Sequence, residues 1–170
     1  MGLVESLGEF YPDSKWQRCI IHFYRNVLSV VPTKRMLDIA TMLKAIHASE
    51  DLAAALEKAE AICVKLEGLK LKEAARKVKE SIVETFTYYD FPHEHRSRIR
   101  TNNALERIMK EIRRRTRVVG AFPDGHSALM LCAARLRHIA GTQWGSKRYL
   151  NMALLREYDL DKALTLAEAI

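Results

Sequence analysis

Apolar residues recur at helical spacing along much of this 170-residue chain. Three such stripes follow one another between residues 33 and 92, with charged residues on the opposite faces, and they predict three amphipathic helices that form a small bundle. We see no catalytic chemistry in this stretch. The stripes are Met36, Ile39, Leu43 and Ile46; then Leu52, Leu56, Ala59, Cys63 and Leu66, ended by Gly68; then Leu71, Ala75, Val78, Ile82 and Phe86, ended by residues 90–92.

The flanking segments are also mainly helical in pattern. Residues 1–10 have apolar positions at helical spacing, and a turn follows at 11–14. The run 16–23 is rich in β-formers and indicates one short strand. Further helices are predicted from Asn103, over 127–139 and in the tail from residue 153. The fold class is therefore mainly α, with at most one or two short strands.

Composition supports an ordered protein of ordinary domain size. Apolar residues make up 48% of the chain, and only four prolines and seven glycines interrupt it. The cysteines Cys19, Cys63 and Cys132 are odd in number and widely spaced, which argues against a disulfide framework and favours the reducing cytoplasm. We expect no membrane span and no signal peptide, because no apolar run is long enough and the first residues lack a basic region.

The positive charge is concentrated in one segment. Residues 96–117 contain nine basic residues and two acids, a surplus of +7 that equals the net charge of the chain. Arginine is chosen over lysine almost throughout, which suits bidentate pairing with phosphates. A solvated basic face is the simpler explanation of a charge run. The concentration nevertheless favours binding to a polyanion such as DNA.

Glu106 is embedded among these arginines and admits two interpretations. With Asn103 it matches a capping box, in which the two side chains would satisfy backbone N–H groups at the start of a helix. Alternatively, Glu106 is a carboxylate ligand for a divalent cation beside a phosphate backbone. Glu111 is the rival acid, and its spacing from Arg107 and Arg115 indicates ion pairs on the helix surface.

Two other patterns have both structural and functional interpretations. Cys19 and His22 have the spacing of metal ligands, and the histidines of 93–95 would complete a zinc site in principle, although packing explains Cys19 more simply. Trp16 and Trp144 are either core aromatics or platforms on which bases stack.

Taken together, these motifs resemble a known family. The run Trp16-Gln17-Arg18-Cys19-Ile20-Ile21-His22-Phe23-Tyr24-Arg25-Asn26 is similar to the first signature of bacterial Mutator-type insertion-sequence transposases. The run from Ile99 to Arg107, followed by that from Glu111 to Arg117, resembles the second. Phe122-Pro123, Ser127, Trp144 and the run from Tyr149 to Met152 continue the likeness, which covers nearly the whole chain in order.

The resemblance implies an RNase H-like core in which two Asp and one Glu bind two Mg²⁺ ions for DNA cleavage and strand transfer. It assigns the catalytic, metal-binding Glu to Glu106 and places Cys19, His22 and Asn102 in family motifs. It divides the chain into a core remnant at 1–32, a helical insertion at 33–92, a basic and C-terminal core segment at 93–152, and a tail at 153–170. The implied DNA-binding residues are Arg96, Arg98, Arg100, Arg107, Arg113, Arg114, Arg115 and Arg117.

The chain departs from the family pattern at its beginning. Only Gly2-Leu3 remains of the motif that carries the second Asp, and the region of the first Asp is absent. We therefore expect a C-terminal fragment that is inactive alone, in which the apolar faces of 1–10 and of the segment near Trp16 are exposed, self-associated or repacked. Expected partners are transposon-end and target DNA, a second copy, or an intact transposase. The alternative is a non-catalytic basic helical module that binds DNA or interferes with an intact transposase.

Overall fold

The structure is a computed structural model that describes Leu3–Glu168. Residues 1, 2, 169 and 170 lie outside it, so Gly2 of the predicted motif remnant and both chain ends are not described. The side chains of residues 3, 4, 6, 163 and 166–168 are not described either. The helices are α1 (Leu3–Phe10), α2 (Ile20–Leu28), α3 (Met36–Ile46), α4 (Leu52–Gly68), α5 (Lys72–Ser81), α6 (His93–Ile99), α7 (Asn103–Val119), α8 (Gly125–Ala140), α9 (Gln143–Ser146) and α10 (Met152–Glu168). Short 3₁₀ turns cover Thr33–Arg35, Val83–Thr85 and Thr87–Asp90.

The mainly α fold class is confirmed, but the strand predicted over 16–23 is wrong. Within the described range no residue is in a strand, and α2 begins at Ile20. A single strand needs a partner for its backbone N–H and C=O groups. Here the extended stretch before α2 finds partners in a turn instead: the Arg18 N–H donates to the Glu84 carbonyl at 2.8 Å. Ile20, Phe23 and Val27 are buried at helical spacing, a pattern that the β-formers concealed.

The chain divides into two compact units, Met1–Thr101 with Ala153–Ile170, and Asn102–Met152. In the first unit α2, α3, α4 and α5 surround one apolar core, which also takes in Ile82 and Phe86. The bundle predicted over 33–92 thus has a fourth helix, α2, packed into the same core. The functional division of the chain at residues 32 and 92 stays a prediction.

Helix α4 buries Ala59, Cys63 and Leu66 of its predicted stripe, but not the first two leucines of that stripe. Leu52 and Leu56 are 41% and 42% exposed, whereas Ala55 and Ala59 are buried. Small side chains allow α4 to lie close to α5, whose own Ala74 and Ala75 are buried. Close packing of the two backbones selects the alanine face, because dense packing excludes the voids that bulkier residues would leave.

The third predicted helix is shorter than its apolar stripe. Helix α5 ends at Ser81, and the chain continues in 3₁₀ turns to Asp90. The Thr85 hydroxyl donates to the Ile82 carbonyl, a local bond that competes with the helical ladder. Phe86 is nevertheless buried, as the stripe predicts.

His47, 4% exposed, is the polar centre of this core. Its Nε2 lies 2.8 Å from the Thr85 hydroxyl and its Nδ1 lies 2.9 Å from the Tyr24 hydroxyl. Since Thr85 already donates its hydroxyl proton to Ile82, we assign the ring proton to Nε2, so that Nδ1 accepts from Tyr24. The neutral ring therefore joins α2, α3 and the 3₁₀ turn after α5.

In the second unit α7 and α8 pack against each other. Gly120 ends α7 with φ at 80°, a conformation that suits glycine. Asp124 caps α8 by accepting a hydrogen bond from the Ser127 N–H at 2.6 Å. This bond holds the pKa of the Asp124 carboxyl below its usual value.

We predict that stability falls on mild acidification because of His47. Burial, helped by the nearby Arg100 and opposed by the Leu43 carbonyl, lowers the pKa of His47 to about 4. The unfolded chain then binds one more proton than the folded chain between about pH 6.5 and 4, so this stabilisation is full above pH 6.5 and is lost as pH falls. Urea unfolding should show a loss of about 2 kcal/mol between pH 7 and 5 from this residue.

The variant His47→Asn is the control for that measurement. It removes the titrating ring and should lose stability at pH 7, while its own change between pH 7 and 5 should be smaller by about the same 2 kcal/mol. An identical pH dependence in both proteins would contradict the assignment.

Candidate nucleic-acid interface

The basic segment 96–117 is shared between the two units. Arg96 and Arg98 lie on α6 and Arg100 follows it, all within the first unit. Glu106 and the remaining basic residues lie on α7, in the second unit.

Helix α7 begins in a way that differs from the predicted capping box. The N-cap residue is Asn102, with φ −91° and ψ 25°, and its side chain accepts no capping hydrogen bond. Asn103 is the first helical residue, one position too late to act as the cap. The Asn103–Glu106 capping box is therefore not formed as predicted. Glu106 lies in the first turn of α7, where the positive end of the helix dipole favours a carboxylate.

Glu106 shares an exposed face of α7 with three cations. Lys110, Arg113 and Arg117 follow it at four, seven and eleven positions, spacings that stack side chains on one side of a helix. All four residues are exposed. The face therefore presents a carboxylate at the beginning of the helix and three positive charges along it. Arg107 is also exposed, at the edge of this face.

Glu111 is held by arginines. Its carboxylate accepts from Arg114 Nη2 at 2.8 Å and from Arg114 Nε at 3.0 Å. It also accepts from the Arg135 guanidinium of α8, and Arg115 Nε lies 3.6 Å away. The predicted ion pair with Arg115 is thus present, whereas the partner predicted in Arg107 is replaced by Arg114 and Arg135. The hydrogen bond from Arg114, with the charge of Arg135, lowers the pKa of Glu111 to about 2.

The arginines of the cluster 113–117 therefore differ in whether a carboxylate lies beside them. Arg114 and Arg115 have a carboxylate neighbour that offsets part of their charge, while Arg113 and Arg117 lie on the face of Glu106. Sequence reasoning did not single out Arg135, which links α8 to α7 through Glu111. The signal available was the position of Arg135 in the middle of the helix predicted over 127–139, with apolar residues on both sides.

In the first unit, Arg96 donates mainly to backbone carbonyls. Its Nε lies 3.1 Å from the Phe91 oxygen, its Nη1 lies 3.1 Å from the Glu50 oxygen, and its Nη2 lies 3.4 Å from the Tyr89 oxygen. Its guanidinium also stacks 4.9 Å from the Tyr89 ring centre. Arg100 Nη1 lies 3.4 Å from the His47 oxygen, and Arg98 is exposed on α6. Arg96 and Arg100 thus combine positive charge with a fixed orientation.

The first family-like motif has a structural role that its sequence did not reveal. The Gln17 side-chain nitrogen donates to the Thr85 carbonyl at 3.0 Å, and its oxygen accepts from the Tyr88 N–H at 2.8 Å. The Trp16 carbonyl accepts from the Thr87 hydroxyl at 2.6 Å. These bonds hold the extended stretch before α2 on the turns at 83–90. Trp16 is half-buried, and Trp144 is 38% exposed.

Cys19 and His22 lie at the start of α2. Cys19 is the half-buried N-cap residue and His22 is exposed, whereas His95 is buried and His93 is exposed on α6. Among residues 3–168, no three His, Cys, Asp or Glu side chains converge as metal ligands do. The donor groups that residues 3–168 bring together therefore do not fit a two-ion site at Glu106.

A family model described as "Transposase, Mutator family" matches residues 1–145. The transposase for insertion sequence element ISRM5 of Rhizobium meliloti is 36% identical over 168 residues, which are 99% of this chain and 41% of that protein. The transposase for element IS406 of Burkholderia multivorans is 37% identical over 88% of this chain and 39% of the relative. The transposase for element IS1081 of Mycobacterium tuberculosis is 30% identical over 91% of this chain and 37% of the relative.

The chain thus spans about two fifths of the length of these relatives. Within the described part of the chain, every helix is too short or too polar to traverse a lipid bilayer.

We predict that the Glu111 carboxyl titrates with a pKa of about 2, because Arg114 and Arg135 stabilise its ionised form. A depressed pKa means that these ion pairs are intact above about pH 4.5 and are lost only as pH falls towards 2. Carboxyl ¹³C chemical shifts measured against pH would test this. In Arg114→Gln the Glu111 pKa should move up towards its ordinary value, whereas Arg76→Gln on α5 should leave it unchanged. Titration near pH 4.5 in the unsubstituted chain would contradict the contacts.

Proposed function

Because this chain belongs to the Mutator family of transposases, we propose that it forms the carboxy-terminal part of the catalytic region of a DNA-transposing enzyme. In this proposal Glu106 is the glutamate of a DDE triad, and the arginines of 96–117 bind the DNA backbone. The protein acts on bacterial DNA and hence in the cytoplasm.

The position of Glu106 is the observation that carries the catalytic assignment. Its carboxylate lies in the first turn of α7, on an exposed face with Lys110, Arg113 and Arg117. An acid used in phosphodiester chemistry must be accessible and close to groups that hold phosphate, and both conditions are met on this face. Glu111 is accessible too, but its carboxylate is committed to Arg114 and Arg135. The exposed position of Glu106 beside three cations, together with its place in the family-like motif, favours Glu106 over Glu111.

The charge distribution supports the DNA-binding part of the proposal. Each Lys or Arg that neutralises a phosphate releases counterions, which makes affinity strongly dependent on salt. Arg107, Arg113 and Arg117 are the strongest candidates for these contacts, since they are exposed and are not among the arginines paired with Glu111. In the first unit, Arg98 and Arg100 are further candidates for phosphate contacts. Arg96, Arg114 and Arg115 add positive charge that attracts DNA.

Two-metal catalysis needs several carboxylates that converge on one point, and no such group forms among residues 3–168. If Mg²⁺ were bound, Glu106 would be one of its ligands, and the metal would supply activation of the attacking oxygen. One glutamate does not make such a site. We propose that a polypeptide limited to these residues binds DNA without cleaving it, and that activity requires the two aspartates of the family.

A second function follows from the same face. A polypeptide that binds transposon DNA and pairs with an intact transposase, or with its own copy, would interfere with transposition without any chemistry. The basic face of α7 favours this reading, because its cations do not depend on Glu106 being a catalytic ligand.

We predict that Arg113→Gln/Arg117→Gln weakens DNA binding. Two lost phosphate contacts should lower the slope of log K against log salt by about 2 and reduce affinity roughly 10-fold or more at 0.1 M salt. Fluorescence anisotropy with a labelled duplex at several KCl concentrations measures both quantities.

The control for this measurement is Lys58→Gln/Arg76→Gln, which makes the same change in net charge at exposed positions of α4 and α5. Equal losses in the two double variants would mean that general charge, rather than the α7 face, attracts DNA.

We predict that Glu106→Gln abolishes catalysis in a chimera in which residues 1–170 replace the matching part of the ISRM5 transposase. Loss of a charged ligand from the reaction centre should reduce transposition at least 10³-fold, as removal of an essential group typically does. Glu94→Gln, at an exposed acid of α6, should retain the activity of the unsubstituted chimera. If the Glu106→Gln chimera transposed as efficiently as the unsubstituted chimera, the catalytic assignment would be wrong.

The isolated polypeptide completes that experiment. Residues 1–170 alone should not nick supercoiled plasmid in Mg²⁺ or Mn²⁺, although they bind it. Nicking that disappears on substitution of Glu106 would show instead that one acid is sufficient.

A further inference from the structure

A cleft in the first unit has polar and cationic walls. It encloses about 220 Å³ and lies between α6 and the segments that follow α3 and α5. Apart from Ala48, every residue that lines it is polar: His47, Ser49, Tyr88, Tyr89, His93, Arg96, Ser97 and Arg100. No carboxylate is among the described residues that line it, so the two guanidinium charges are not neutralised from within the cleft.

The two arginines are already oriented by the fold. Arg96 is held by three backbone carbonyls at 3.1–3.4 Å and by the Tyr89 ring, and Arg100 by the His47 carbonyl at 3.4 Å. A guanidinium has five N–H groups, so each arginine keeps donors beyond these bonds. Because the side chains are held in place before a ligand arrives, binding costs less conformational entropy.

Two hydroxyl groups in the same walls lack partners. Tyr88 is 2% exposed, and its hydroxyl makes no well-aligned hydrogen bond within the described residues, although the adjacent Tyr89 side chain helps burial to raise its pKa. The buried Ser49 hydroxyl also lacks a hydrogen bond. A buried polar group without a partner costs about 1–3 kcal/mol, so a ligand that accepts these bonds would recover that cost. Burial also raises the pKa of Tyr88, which keeps its hydroxyl protonated as a donor.

We propose that this cleft binds one phosphate group, with Arg96 and Arg100 donating to its oxygens and with Tyr88 and Ser49 as hydroxyl donors. The ligand must be a polyoxygen anion, because the lining offers positive charge and several donors without a matching acid. Its source is either a phosphate of the DNA backbone, which rests on the proposed function, or free inorganic phosphate. The site is distinct from the α7 face and lies wholly within the first unit.

Inorganic phosphate is the probe for the first test, added to residues 1–170 at constant ionic strength. The Nε–H signals of Arg96 and Arg100 should shift in ¹⁵N NMR spectra and saturate. Tyr88→Phe, which removes only the hydroxyl, should raise the Kd for phosphate about 10-fold. Tyr11→Phe is the matched control at an exposed tyrosine outside the cleft and should leave the Kd unchanged.

Ser49→Ala and Arg100→Gln extend the series, with Arg76→Gln as the charge control. Circular dichroism and melting confirm that each variant is folded. If Arg96 and Arg100 do not shift, or if Tyr88→Phe binds phosphate as well as the unsubstituted chain, the proposal is overturned.

Duplex DNA distinguishes the two sources. Displacement of phosphate by DNA, with weaker DNA binding in Tyr88→Phe, assigns the cleft to the DNA backbone. DNA that binds without displacing phosphate assigns it to free phosphate. If phosphate binds to the cleft while DNA does not bind to the chain at all, the cleft stands and the proposed DNA-binding function fails. If DNA binds through the α7 face and phosphate does not enter the cleft, only the inference about the cleft fails.

Discussion

The first unit depends on keeping His47 buried and uncharged. Its ring occupies the centre of the core and is hydrogen-bonded to Tyr24 on α2 and to Thr85 in the turn after α5. Its backbone carbonyl accepts from Arg100 beyond α6. A charged ring would be unfavourable here, since it would lose its acceptor nitrogen as well as its solvation. One neutral histidine thus connects the helical core to the edge of the basic segment.

The arginines of the basic segment serve different purposes although their sequence looks uniform. Some are structural. Arg96 donates hydrogen bonds to backbone carbonyls, and Arg114 binds the Glu111 carboxylate, which also binds Arg135 of α8. Others, such as Arg113 and Arg117, remain on an exposed face. Arginine suits both tasks, because its planar fork donates in fixed directions to carbonyl, carboxylate or phosphate oxygens.

The proposals for the two units are physically independent. On α7, helical spacing places Glu106 on one face with Lys110, Arg113 and Arg117. In the cleft, the fold leaves the buried hydroxyls of Tyr88 and Ser49 without a well-aligned hydrogen bond. Failure of one proposal would therefore leave the other intact.

The sequence by itself determined the mainly helical class, the family, and the concentration of charge that contains Glu106, because periodicity, motif order and charge are properties of the chain alone. It also indicated that Glu111 would pair with nearby arginines. Only the tertiary structure decided that Ile20 begins a helix, that α4 buries its alanines, and that Arg135 completes the contacts of Glu111. These outcomes depend on which surfaces meet across long separations in sequence, where packing overrides local propensity. The capping box was likewise undecidable from the sequence, since a shift of one residue at the start of α7 changes which side chain occupies the cap position.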